Sequence, residues 1–97
     1  MDPSTVFRPR GEYVAREIGG EMILVPVRSG VAELDSIFTL NEVGAVIWEG
    51  VVRGNTLEEI VAAVVTGFEV DEEPAFRDAV EFLESLRENG VVEIAGD

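Results

Sequence analysis

Two runs of adjacent carboxylates, Glu58-Glu59 and Asp71-Glu72-Glu73, are the groups best equipped for chemistry in this chain of 97 residues. Clustered carboxylates bind hard cations or share general acid and base work. Both runs, however, stand where a helical hydrophobic pattern begins. Capping and the helix dipole account for acids there without any ligand. The partners an active site would need are missing, because the chain has no His, no Cys and no Lys. That removes the commonest general base and metal ligand, thiolate chemistry and Schiff-base chemistry. Carboxylates, hydroxyls, Tyr13 and seven arginines remain. The expectation is a protein that is not an enzyme, with no catalytic residue, no metal site and no cofactor. Trp48 could stack on a ligand, but a single Trp on a core-facing helix is explained by packing. Asn41 is explained as a helix cap.

A chain of this length suits one domain, and its 46% apolar residues suffice for a core. The first ten residues lack the pattern of a signal peptide, and no apolar run approaches the roughly 20 residues of a membrane span. The expected location is therefore cytoplasmic. The net charge of −13 opposes nucleic acid and anionic membranes as partners. The charge is uneven. Residues 1–40 carry a net −2 and residues 41–97 a net −11. Solubility explains such a field, and so does attraction of a basic peptide.

The elements that must position these groups emerge from periodicity. Residues 1–11 hold Pro3, Pro9 and Gly11 without a period and are expected to be a flexible N-terminal arm, leaving residues 12–95 as the single domain. Tyr13–Ile18 and Glu21–Val27 alternate as strands around Gly19-Gly20, a strong hairpin signal. Pro26 donates no ladder bond and should occupy an edge, a bulge or a strand end. After a turn at Arg28-Ser29-Gly30, a third run spans Val31–Leu40. Ala32, Leu34, Ser36, Phe38 and Leu40 share its core face, and Asp35-Ser36 could divide it. From Asn41 the period becomes helical. Val43, Val46, Ile47 and Val51 share a face, with Gly44 marking a close backbone contact. Thr56 and Glu59 fit a capping box before Leu57, Ile60, Val61, Val64 and Val65, and Gly67 should end that helix. A third helix begins at Asp71 and carries Phe76, Ala79, Val80, Leu83 and Leu86, with Phe82 widening the stripe. Asn89-Gly90 stops it, and Val91–Ile94 is a last strand. The fold class is α+β, a winged helix-turn-helix with an N-terminal three-stranded antiparallel sheet, three helices and a short C-terminal strand.

Several segments resemble the PqqD-like family, named for a factor of coenzyme PQQ synthesis. They are Arg16 and Gly20–Pro26 in the hairpin, Leu40–Glu49, Thr56–Ile60, then Val80, Phe82-Leu83, Leu86 and Gly90–Val92. The Leu-Asn pair, Gly three residues on and the subsequent Ile-Trp are the most specific part. The likeness spans about residues 8 to 94. It implies a peptide-binding adaptor that holds the leader of a ribosomally made precursor peptide. The adaptor presents that leader to a modifying enzyme, often a radical SAM protein. The leader adds as a strand beside the third strand and lies against the third helix.

The residues accommodate that role. If sheet order tracks the chain, the third strand is an edge with unpaired backbone groups. Ile37 and Thr39 would flank them, with Phe38 pointing inward. Phe76, Val80 and Leu83 would form the opposite wall, with Arg77 as a rim contact. All but Arg77 also serve a core. An exposed edge equally admits a second copy, so a homodimer is compatible with the sequence. Two other functions compete. A DNA-binding winged helix is opposed by charge, since residues 71–89 carry seven acids and two arginines. A regulatory subunit that binds no peptide is not distinguished by sequence.

Overall fold

The computed structural model describes residues 1–28, 31–32 and 37–95. Its elements are β1 (Phe7–Pro9), β2 (Glu12–Ile18), β3 (Glu21–Arg28), β4 (Val31–Ala32), β5 (Phe38–Leu40), α1 (Glu42–Arg53), α2 (Leu57–Phe68), α3 (Glu72–Glu88) and β6 (Val92–Ile94). The architecture is α+β, as the alternation of periods predicts.

Gly19 and Gly20 take φ of 61° and 85°, the left-handed pair that closes a tight hairpin. The turn sets an antiparallel register from Ile18↔Glu21 to Glu12↔Val27. On its other side β3 pairs antiparallel with β5 at Leu24↔Phe38 and with β4 at Val27↔Ala32. The sheet is thus three strands wide, with β3 in the middle and its third position filled by two short strands in succession. Extending the β5 register would set Val27 opposite residue 35, yet it pairs with Ala32, so three extra residues enter on that side. Pro26 sits in this interruption. It faces Tyr13 of β2, and no ladder partner among the described residues faces it on the other side. The expected break at Asp35-Ser36 and part of the turn at Arg28-Ser29-Gly30 lie outside the described residues.

The helices start as their caps dictate. The Asn41 side chain accepts from the Gly44 amide at 2.7 Å. Thr56 and Glu59 complete the reciprocal capping box, with bonds of 2.8 and 3.2 Å. Asp71 holds the extended N-cap backbone of α3, but its side chain makes no capping bond. Gly67 does not end α2. The helix runs to Phe68, and the left-handed residue that terminates it is Glu69, at φ 51°.

The expectation of a flexible arm over residues 1–11 needs correction. Phe7–Pro9 form a strand paired antiparallel with β6, Phe7 opposite Ile94 and Pro9 opposite Val92. Phe7 is wholly buried, and Arg8 reaches Glu93 at 2.7 Å across the pair. Farther out, the Leu57 and Glu58 amides donate to the Thr5 and Pro3 carbonyls. Asp2 accepts from the Ser4 amide and hydroxyl, which holds its carboxyl below the usual carboxylate pKa, the amide bond contributing most. The segment is therefore laced to the start of α2. Beyond α3 the chain forms the expected short strand, which pairs with β1.

The core lies between the helices and these strands. Leu24, Leu40, Ile47, Trp48, Ile60, Leu83 and Val91 are among its buried members. Trp48 meets Tyr13 edge to face at 5.7 Å, the packing role read from the sequence.

Candidate functional site

β5 pairs with β3 through Leu40, Thr39 and Phe38, and among the described residues its opposite edge has no backbone partner. An unpaired edge is a template for an added strand. Side chains alternate across it as strand geometry requires. Leu40 is buried and Phe38 half-buried against the core, while Thr39 is exposed. Ile37, one residue ahead of β5, is 47% exposed, which is high for a large apolar side chain. These three expected site residues, Ile37, Phe38 and Thr39, therefore stand together at the open edge.

The α3 residues divide differently from the expectation. Ala75, Ala79, Leu83 and Leu86 form the buried stripe. Leu83 is wholly buried, so it supports the wall from beneath and offers no surface to a ligand. Phe76 is half-buried and faces a cleft with Val61, Ala62 and Val65 of α2. Val80, half-buried one turn on, shares that flank by helical spacing. Arg77 is exposed on the outward face.

The residue that turns toward β5 is Phe82. A Cβ built on Gly44 would lie 3.2 Å from the Phe82 ring, 3.4 Å from the Leu40 side chain and 3.3 Å from the Asn41 amide oxygen. The ring thus covers the junction of β5 and α1, and Gly44 is the close contact its position in the helix foretold. The Leu40-Asn41 pair and Gly44 acquire one explanation: core anchor, cap and seat for an aromatic ring. Beside Phe82, a depression of about 360 Å³ is lined by Asp78, Glu81 and Ser85. The helical stripe placed Phe82 correctly on α3. Only the tertiary contact with Gly44 reveals which neighbour its flank meets.

The described helices include none long and apolar enough to cross a membrane. Among the described residues, no cluster of metal-ligating side chains is present.

The site is therefore an open sheet edge beside an aromatic-bearing helix, in an α+β domain of three helices. An edge of this kind can accept an extended chain by strand addition. Residues 21–92 match the family described as Coenzyme PQQ synthesis protein D (PqqD), and the chain belongs to that family. Two solved structures are similar over nearly the full length. TbiB1, in complex with the TbiA(beta) leader peptide, is 28% identical with a TM-score of 0.71, covering 93% of this chain and 96% of that one. Lasso peptide synthetase B1, complexed with the leader peptide, is 28% identical with a TM-score of 0.72, covering 90% and 96%. No curated protein matches.

Proposed function

We propose that this protein is a leader-peptide-binding adaptor. The leader adds as a strand to the free edge of β5 and lies along the Phe82 flank of α3. Ile37, Phe38 and Thr39 supply the edge, Phe82 an aromatic contact, and Asp78 and Glu81 an acidic border. Leu83 acts from within the core. Phe76, Val80 and Arg77 lie off this path.

The observation that carries the reading is the β5 edge, which has no backbone partner among the described residues, in a domain similar to two leader-peptide complexes. Main-chain bonds along an edge provide affinity, and side-chain seats provide selectivity. The chain's lack of His, Cys and Lys supports a role that leaves the chemistry to another protein. We assign that chemistry to a modifying enzyme acting on the held peptide, a radical SAM protein being one class.

Isothermal titration with the leader peptides encoded beside the gene tests the proposal. Binding near micromolar, about −8 kcal/mol, is expected. If every such peptide gave no heat and no amide shifts in Ile37–Leu40, the adaptor reading would fall.

A further inference from the structure

The opposite flank of α3 opens on a cleft that the β5 edge does not need. It lies between α2 and the first turns of α3, has a volume of about 370 Å³, and is lined also by Pro3. Its apolar lining includes Val65 and Phe76, both half-buried, so they retain surface to give. Glu58 and Glu72 stand on its border. Both are exposed, and neither has an ion-pair partner among the described residues.

Three features select the occupant. The walls are mainly helical and present no row of unpaired backbone groups for a strand to join. An occupant must insert side chains between two helical ridges, and the ridge of a third helix does so. Exposed Ala62 lets such a helix approach closely. Next, the borders are acidic and the lining contains no cation, so an opposing basic residue gains from both carboxylates. Finally, a second copy of this chain is disfavoured by the same charge. It would bring its own share of a net −13 against Glu58 and Glu72.

We propose that the α2–α3 cleft docks a cationic amphipathic helix of a partner protein. Phe76 and Phe82 lie on opposite flanks of α3, so the cleft and the β5 edge can be filled together. That the partner is the enzyme acting on the held peptide rests on the adaptor reading. The docking itself does not.

The test uses the full chain, isotopically labelled, and a synthetic helical peptide with leucines at i, i+4 and i+7 and lysines elsewhere. Amide shifts should gather at Ala62, Val65, Thr66 and Phe76 and leave Ile37–Leu40 unmoved. Ala62→Arg, on an exposed helix position, should weaken this binding about tenfold or more, one decade in Kd, without changing leader-peptide binding. Thr66→Arg blocks the same cleft from a second exposed position and should act alike. A scrambled peptide of equal charge should bind more weakly, and a glutamate-for-lysine version should not bind. Equal binding of the scrambled peptide would reduce the effect to general attraction for a polyanion and overturn the proposal. So would shifts confined to the β5 edge, or self-association through this face. Leader titration on the same sample reports separately whether the adaptor reading holds.

Discussion

Leu83 and Phe82 are neighbours in sequence with opposite duties, and single substitutions should separate them. Leu83 is wholly buried. Leu83→Ala leaves a cavity and should cost about 2–5 kcal/mol, a large share of the roughly 5–10 kcal/mol expected for such a domain. Phe82 is only half-buried, over Gly44. Phe82→Ala should lower stability less and weaken leader binding about tenfold or more. Urea unfolding with parallel titration reads both. A Phe82→Ala variant that binds normally would remove the ring from the peptide path. Gly50 tests packing alone. A Cβ there would come within 2.5 Å of the Ile60 side chain, so Ile60 or the α1–α2 contact must shift. Gly50→Ala normally gains about 1 kcal/mol of helix propensity. Here a net loss of about 1–3 kcal/mol is expected from overpacking, visible as a lower urea midpoint.

At the scale of elements, β5 and β1 carry the sharpest consequences. Ile37→Pro removes an amide at the entry to the open edge and obstructs an added strand. Loss of leader binding with an unchanged near-ultraviolet spectrum is expected. Retained binding would place the peptide elsewhere. Phe7→Ala should cost about 3–5 kcal/mol, since a fully buried ring is lost, and thermal melting would show it. A free arm would not respond. That contrast marks where sequence reading succeeds. The Gly19-Gly20 hairpin, the Asn41 cap and the Thr56–Glu59 box are local devices, complete within a few residues, and each is visible as written. β1 is three residues long, contains Pro9, and is stabilised by a partner some 85 positions away. Nothing periodic announces it. Composition ends α2 too early, because Glu69 and not Gly67 takes the left-handed conformation. Periodicity also assigns α3 one apolar stripe but not its two flanks. It therefore groups Phe76 and Val80 with the β5 edge, whereas in the structure Phe82 is the α3 residue that packs over Gly44.

Charge acts at the scale of the whole molecule, and it sets stability and association against each other. Twenty acids face seven arginines, so compaction gathers a net −13 that an expanded chain spreads out. Self-repulsion destabilises the folded state. Salt shortens the reach of that repulsion to about 10 Å at 0.1 M and about 3 Å at 1 M. The melting temperature should therefore rise with sodium chloride. Recovery of roughly 1 kcal/mol corresponds to about 4–8 °C in a domain of this size. The same ions screen Asp78 and Glu81 beside the peptide path and Glu58 and Glu72 at the α2–α3 cleft. Affinity for a basic ligand at either place should fall as stability climbs. Backbone bonds along β5 and apolar contacts in the cleft are not screened, so both ligands should retain a salt-independent remainder, with the lysine-bearing helix losing the larger share of its affinity. Melting curves and titrations across one salt series measure all three slopes. A melting temperature that drops with salt would mean that the exposed pairs, Arg8–Glu93 and Arg53–Glu49, outweigh the repulsion. Such pairs are each worth only about 0–1 kcal/mol, too little to offset an excess of thirteen charges.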